Sequence, residues 1–370
     1  MQVSPFLLDR WLNEHQFAVP PIEFDLAAST GPRWTWSDLI STLAPDAMDQ
    51  ILDRSASYAP ATGTWALRQA IADMAEVSPG EVIVVTGASE GLWILMLVAG
   101  QSGGNVVLPH PGYPTFGEAA GHVGLEVRQY QLRAATGHAI DVDEVEACID
   151  ERTVLVLVNT PHNPTGAVVS DEQLPQLSDL AEQQGTRLVV DEVYHPIYHG
   201  QASTSAARLD AAITVGDFSK ALCLSGLRIG WIIDHDQSQM QQYEDARAYL
   251  SISSSPLSEA LAEGALRARD TIYARARTVT ATNLVSLDAF MAEHADQLDW
   301  VRPAGGMTAL PWLRSGVDAR PLCTVAAAAG VLIAPGDCFG VPAHFRVGFG
   351  VTERRFPDAL DRLADILQGA

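Results

Sequence analysis

The sequence predicts an α/β protein whose central, mostly parallel sheet is covered by helices on both faces. From residue 81 onward, short apolar runs alternate with helical segments or Gly/Pro turns, and this alternation is typical of a parallel sheet sandwiched by helices. The chain has 370 residues, of which 47% are hydrophobic and 18% are charged. A chain of this length and composition can bury a large core and usually divides into two domains.

Seven apolar runs are the predicted strands of this sheet. They cover residues 82–85, 105–108, 126–130, 154–158, 187–190, 212–215 and 228–233. Because such sheets bind ligands beyond the carboxyl ends of their strands, the residues that directly follow each run are the candidate functional residues.

Helices are predicted where apolar residues recur at helical spacing. The clearest segments are residues 6–15, 64–75, 237–249 and a long helix over 258–281. The residues after 283 combine helical segments with short strands, which indicates a smaller α+β domain. We therefore expect a large domain over residues 46–250 and a small domain built from residues 1–45 and 251–370.

Charge and composition exclude several classes of function. The formal charge of −22, without a long basic cluster, argues against nucleic-acid binding. The longest apolar run, residues 92–100, is too short to cross a bilayer, and the first sixteen residues lack the pattern of a secretory signal. We therefore expect a cytoplasmic protein that does not bind membranes. The four cysteines are widely spaced and form no Cys/His cluster, so no metal site is predicted.

The loop between the last two predicted strands has Lys220 and Arg228 as its only basic residues. Burial lowers the pKa of a lysine and frees its amine to form a Schiff base. A guanidinium binds phosphate in a bidentate manner, and Gly226 and Gly230 permit close approach of the backbone. The segment therefore predicts a nucleophilic lysine beside a phosphate site. The alternative is an ordinary loop with a solvated lysine.

Polar residues also follow four other predicted strands. The free backbone amides at Gly87 and Ala88, together with the Ser89 hydroxyl, form an anion site where a helix begins. Asp191 ends a buried strand and needs a cationic partner there. Each motif alone also has a purely structural explanation, as a helix cap or a packing turn. The other candidates are Tyr113 in a Pro-rich turn, Asn163 in the segment HNPTG, and Tyr194.

Taken together, in this order and spacing, these motifs resemble the class I and II aminotransferase family, which are pyridoxal 5'-phosphate (PLP) enzymes of fold type I. The resemblance runs from about residue 50 to the C terminus. It implies that PLP is the cofactor, that Lys220 carries it covalently, and that Asp191 faces its pyridine nitrogen. The implied phosphate contacts are Gly87, Ala88, Ser89, Ser219 and Arg228. The implied ring contacts are Tyr113, which stacks on the pyridine, and Asn163 and Tyr194, which bind the phenolic oxygen.

The same resemblance implies the substrate class and the assembly. An amino acid would bind through an external aldimine and lose its α-proton, with Lys220, Asp191 and Tyr194 as the catalytic residues. Its carboxylate would bind Arg346, with Asn163 and Gly31 as further substrate contacts. Tyr58, in the pattern YxPxxG, matches a phosphate contact that the neighbouring subunit supplies, so a homodimer is implied.

One residue departs from the family pattern. Three residues before the lysine the family usually has Ser or Thr, and this chain has Asp217. A carboxylate close to a phosphate dianion is repulsive. Either Asp217 turns away, toward Arg228 or a substrate cation, or the phosphate is held by the amides near Ala88 and Ser89 together with Ser219 and Arg228.

The type of reaction stays open between two hypotheses. Residues 9–12, 29–36 and 248–257 resemble capreomycidine synthase-like enzymes, which act on arginine derivatives by β-elimination with cyclisation or by oxidation. Transamination is the first hypothesis and an arginine-type reaction is the alternative, with Asp217 and Glu192 as candidate guanidinium partners. A PLP-binding regulator without activity is disfavoured, because no helix-turn-helix segment is present in the sequence.

Overall fold

The seven predicted strands form one sheet. The computed structural model describes residues 4–19 and 21–369. The strands are β1 (Phe24–Asp25), β2 (Val82–Val85), β3 (Asn105–His110), β4 (Glu126–Gln131), β5 (Thr153–Asn159), β6 (Arg187–Asp191), β7 (Ala212–Asp217), β8 (Gly230–Ile233), β9 (Leu298–Asp299), β10 (Thr308–Ala309), β11 (Trp312–Leu313), β12 (Val331–Leu332), β13 (Ala334–Pro335) and β14 (Phe345–Gly348). The helices are α1 (Leu7–Gln16), α2 (Trp36–Thr42), α3 (Ala47–Leu52), α4 (Trp65–Ala75), α5 (Ala88–Gly100), α6 (Pro114–His122), α7 (Val142–Cys148), α8 (Gln173–Gln183), α9 (Gln237–Leu250), α10 (Pro256–Arg267), α11 (Arg269–Glu293), α12 (Arg320–Ala328) and α13 (Phe356–Gly369).

The central sheet has the order β2-β8-β7-β6-β5-β3-β4. The pairs from β7 to β4 are parallel, and β8 is antiparallel to both of its neighbours, β2 and β7. The mostly parallel sheet is therefore confirmed. Asn159 lies opposite Asp191, which in turn lies opposite Val215, two residues before Asp217. This register brings the polar carboxyl ends of β5, β6 and β7 to one edge.

Both faces of the sheet are covered, because alternate side chains of a strand point to opposite sides. In β5, Leu155 and Leu157 pack into one apolar core, with α4 and α5, while Val156 and Val158 pack into another, with α8. A buried strand of this kind has no polar face, which is why the sheet strands read as continuous apolar runs.

A third apolar core joins the two ends of the chain. β1 pairs in parallel with β12, and the Trp11 indole N–H donates to the Ile333 carbonyl at 2.9 Å. Phe24 and Phe345 are buried in this core with residues of α1, α12 and α13. The two predicted domain ranges stay a prediction, and residues 1–3, Pro20 and Ala370 within them lie outside the described residues.

One helix prediction was wrong. The single long helix expected over 258–281 is two helices, because α10 ends at Arg267 and α11 begins at Arg269. The amide of Ala268 donates to both the Gly264 and Ala265 carbonyls, as is common at a helix end. No Gly or Pro marks this break in the sequence, and apolar spacing continues across it.

No helix in the described part of the chain is both long and apolar enough to cross a bilayer. The cytoplasmic location stays a prediction.

The start of β8 packs against the start of α5. A Cβ atom on Gly230 would lie 2.7 Å from both the Ala88 nitrogen and the Gly87 carbonyl carbon, whereas a Cβ on Gly226 would meet no atom within 4 Å. We expect Gly230→Ala to lower the free energy of unfolding by about 1–3 kcal/mol, because two backbone segments must separate. Gly226→Ala should change it by less than about 0.5 kcal/mol. Urea unfolding measures both, and equal effects would contradict the packing argument.

Candidate active site

A cavity of about 270 Å³ lies at the carboxyl edge of β5, β6 and β7. Most of the cofactor contacts expected from the sequence line it together: Ala88, Ser89, Tyr113, Asn163, Asp191, Tyr194, Ser219, Lys220 and Arg228. Asp217 also lines this cavity. The edge formed by the strand register therefore collects residues that are far apart in the sequence.

The Lys220 amine is partly buried in this cavity and donates a hydrogen bond of 3.0 Å to the Ser29 hydroxyl. Burial lowers the pKa of Lys220 to about 8, although the nearby Asp217 carboxylate acts in the opposite direction. Near pH 8 about half of these amines are therefore uncharged. An uncharged lysine amine is a nucleophile and a proton acceptor.

Asp191 presents a carboxylate to the same cavity. Its Oδ1 accepts the Val193 amide at 3.1 Å, and within the described residues it forms no ion pair. The pKa of Asp191 is raised to about 7, mainly by burial and in smaller part by the charge of Asp217. A ligand that brought a positive charge to this carboxylate would therefore be bound strongly.

Asn159 fixes two of these groups. Its Nδ2 donates to the Asp191 carbonyl at 3.0 Å, and its Oδ1 accepts the Asn163 amide at 2.8 Å. Our sequence analysis missed this residue, although it is the polar residue that ends β5. Ser29 and Thr30 were also missed as site residues. Their only signal was the polar turn that precedes Gly31.

One end of the cavity is built to hold an anion. α5 begins at Ala88, so its first amides are free to bind a ligand. Arg228 donates to the Ser219 hydroxyl at 3.5 Å and to the Thr86 carbonyl at 3.3 Å. Gly87 has φ +79°, and a Cβ there would lie 2.5 Å from the Arg228 Nη2. Glycine therefore makes room for the guanidinium beside the helix start.

Asp217 turns onto its own loop. Its Oδ1 accepts the Ser219 amide at 2.8 Å, and its carboxylate forms no ion pair with Arg228 in the described structure. Glu192, the other candidate guanidinium partner, lies apart from Lys220. Its carboxylate accepts the Ser205 hydroxyl and the Ala206 amide, each at 2.6 Å, and lines a separate cavity beside Tyr273.

Arg346 lies behind Asn163 and is 1% exposed. Its Nη1 donates to the Asn163 Oδ1 at 2.9 Å, its Nη2 donates to the Ala27 carbonyl at 2.6 Å, and its Nε has no partner. Because the Asn163 oxygen is engaged, its Nδ2 remains as the donor toward the cavity. The Tyr194 hydroxyl donates to the Ser29 carbonyl at 3.0 Å.

Four of the expected site residues do not line this cavity: Gly87, Arg346, Gly31 and Tyr58. Gly87 lies beside the Arg228 guanidinium, and Arg346 lies behind Asn163. Gly31 lines a neighbouring cavity of about 220 Å³, which shares Thr30 and Ser225 with the first. Tyr58 is 81% exposed, on the loop before α4. It does not line the cavity of its own subunit.

Comparison with known proteins identifies the family. The family model described as aminotransferase class I and II matches residues 41–363. The chain belongs to the class I and II aminotransferase family. Capreomycidine synthase from Streptomyces vinaceus is 31% identical over 350 residues, which cover 92% of this chain and 88% of that protein.

Two solved structures of PLP-dependent proteins are similar along the whole chain. The PLP-dependent aminotransferase from Streptococcus suis superposes with a TM-score of 0.90 at 25% identity, covering 100% of this chain and 99% of that one. The PLP-dependent cyclase OrfR superposes with a TM-score of 0.91 at 27% identity, covering 100% and 98%. The predicted fold type I is therefore confirmed.

This aminotransferase-family chain is a PLP-dependent enzyme. The cavity fits the cofactor on its own geometry. It contains a partly buried amine, a buried carboxylate that forms no ion pair with any described residue, and an end where a helix start and a guanidinium could bind an anion. These are the groups that an aldehyde, a pyridine nitrogen and a phosphate require.

The pKa of Lys220 leads to a pH prediction. Only the uncharged amine attacks the PLP aldehyde, so the rate constant for covalent capture of PLP by the apoenzyme should rise with pH up to about 8 and then level off. Stopped-flow absorbance measures the rate, and borohydride reduction with peptide mapping should locate the label on Lys220. Lys220→Ala is the control. A rise that continues to about pH 10, the range of an ordinary lysine, would contradict the assignment.

Proposed function

We propose that Lys220 holds PLP covalently, with Asp191 facing the pyridine nitrogen. The amides of Ala88 and Ser89 and the guanidinium of Arg228 would bind the phosphate. The shared cavity, the depressed pKa of Lys220 and the buried Asp191 carboxylate support these roles. Bound PLP withdraws electrons from the α-carbon of an amino acid.

The residues around the cofactor supply proton transfer and orientation. We propose that Lys220, with a pKa near the working pH, accepts the α-proton and returns it. Arg346 would bind the substrate carboxylate. The carboxylate would accept hydrogen bonds from two atoms of this guanidinium. One is Nε, which has no partner among the described residues, and the other is Nη1, which now donates to Asn163.

Transamination is the reaction that the site supports best, and the observation that carries it is the shortage of free carboxylates. Among the described residues that line the main cavity, the carboxylates are Asp191 and Asp217, and Asp217 already accepts the Ser219 amide. The neighbouring cavity is lined by Arg33 and by no carboxylate. A guanidinium side chain would thus find no dedicated acceptor within one subunit, whereas an ordinary amino acid needs none.

An arginine-type reaction is the second candidate, and the comparisons favour it. The similarity to capreomycidine synthase extends over 92% of the chain, and the cyclase structure superposes at a TM-score of 0.91. If this hypothesis is right, the guanidinium acceptor would come from the other subunit.

The two reactions differ in whether an acceptor keto acid is needed. For transamination, an amino donor alone should convert the cofactor once to its pyridoxamine form and release one keto acid per site. Sustained turnover should require an added keto acid. The absorbance spectrum and keto-acid analysis measure both, with Lys220→Ala as the inactive control. Repeated turnover of arginine or its β-hydroxy derivative without an acceptor would exclude transamination and establish the second candidate.

We propose that the enzyme is a homodimer in which Tyr58 reaches the phosphate of the partner's cofactor. Apolar side chains are exposed near the start of α4 and around the turn between α9 and α10: Trp65, Tyr249, Leu250, Ile252 and Leu257. An exposed group of large apolar residues is typical of a protein–protein interface. Tyr58 itself is exposed and does not line the cavity of its own chain.

The dimer proposal can be tested on this surface. Light scattering at micromolar concentration should show a dimer, and the double variant Tyr249→Asp with Leu257→Asp should shift it toward a monomer with weaker PLP binding. The two new aspartates would be buried at the interface without a cationic partner, which disfavours the dimer. Val317→Asp, at an exposed apolar residue of the C-terminal segment, is the matched control. A fully active monomer would contradict the proposal.

A further inference from the structure

Arg247 is a fully buried arginine outside the cavity, at the end of α9. Its Nη2 donates to the Ser254 hydroxyl at 2.6 Å, and its Nη1 donates to the Ala61 carbonyl. Its Nε lies 3.8 Å from the Glu90 carboxylate. Arg247 directly precedes residues 248–257, which the sequence analysis singled out. None of these residues is among the described residues that line the active-site cavity. The stretch folds back so that Ser254 reaches the guanidinium.

The guanidinium joins two segments that are distant in the sequence, the first turn of α5 and the loop before α4. Glu90 belongs to the first turn of α5, and its carboxylate accepts the Thr86 amide beside the phosphate end of the cavity. Ala61 belongs to the loop that carries Tyr58, three residues earlier. Arg247 is buried and lies close to the Glu90 carboxylate. Moving or removing its guanidinium would therefore leave a buried charge without its partner, which costs free energy.

A second buried charge holds the other end of the same loop. The Glu259 carboxylate, 0% exposed, accepts the Thr64 amide at 2.7 Å. The charge of Arg247 partly offsets the rise in the pKa of Glu259 that burial causes. The Tyr58 loop is thus fixed at Ala61 and at Thr64 by two charged groups that no solvent reaches.

We propose that Arg247 is a positioning residue, which holds the Tyr58 loop in the conformation that presents Tyr58 to the cofactor phosphate of the other subunit. This inference rests on the proposed role of Tyr58. Through Glu90, the same guanidinium ties that loop to the phosphate-binding turn of its own subunit. Loss of Arg247 should therefore weaken recognition of the phosphate, while the pyridine site is left intact.

The test compares PLP with pyridoxal, which lacks the phosphate. The full-length apoenzyme is titrated with each compound for the wild type, Tyr58→Phe, Arg247→Lys, Ser254→Ala, and Tyr58→Phe combined with each of the last two. Arg247→Lys keeps the positive charge but removes the planar guanidinium that contacts Ala61 and Ser254. Ser254→Ala removes one partner of the guanidinium and serves as the test if Arg247→Lys does not fold. We expect each single variant to raise the Kd for PLP about tenfold and the Kd for pyridoxal less than about twofold.

The combined variants decide whether Arg247 acts through Tyr58. If it does, Tyr58→Phe with Arg247→Lys should bind PLP no more weakly than the weaker single variant. Additive losses, of about a hundredfold, would overturn the inference. So would equal losses for PLP and pyridoxal, since those indicate general destabilisation. If Tyr58→Phe alone changes nothing, the proposed role of Tyr58 fails and the inference falls with it. If Tyr58→Phe raises the Kd for PLP but the Arg247 and Ser254 variants do not, the positioning role of Arg247 is excluded and the proposed role of Tyr58 stands.

Discussion

The placement of two ionisable groups, Asp191 and Lys220, in one cavity is the constraint on which the rest of the structure depends. Burial raises the pKa of Asp191 from 3.8 to about 7 and lowers that of Lys220 from 10.5 to about 8. The folded state therefore loses stability as the pH rises from about 4 to 7, and again as it falls from about 10 to 8. Near neutral pH both costs are present. A ligand that places a positive charge beside Asp191 and reacts with the Lys220 amine removes both costs and so stabilises the folded state.

Much of the fold could be predicted because six of the seven strands of the central sheet are almost entirely buried. Continuous apolar runs mark those strands directly, and the observed bounds of β2 equal the predicted ones. The edge strand β4 is mostly exposed and largely polar, and its observed bounds differ from the predicted ones by one residue. The break between α10 and α11 could not be predicted, because it depends on how the two helices pack and not on a local breaker. Among the short strands of the C-terminal segment, β10 and β11 are separate for a related reason, since each pairs with a different strand.

The candidate site was predictable where function follows directly from a strand end, and not where it depends on contacts between distant segments. Lys220 and Asp191 lie beyond buried strands, so their chemistry is visible in the sequence. Ser29 meets the Lys220 amine from a segment nearly two hundred residues away, and Arg247 meets Ala61 in the same way. No spacing pattern in the sequence encodes such contacts, because they depend on how segments that are distant in the sequence pack against one another.

Asp217, the residue that departs from the family pattern, bears on the end of the cavity formed by the start of α5 and Arg228. A hydroxyl at position 217 could both accept the Ser219 amide and donate to a phosphate, whereas the Asp217 carboxylate can only accept. The loop keeps its geometry with either residue, but one donor to the phosphate is lost and a negative charge is gained. The proposed phosphate site would then rely on the start of α5 and on the guanidinium of Arg228. That requirement gives the close contact of Gly87 with Arg228, and of Gly230 with Ala88, a functional reason.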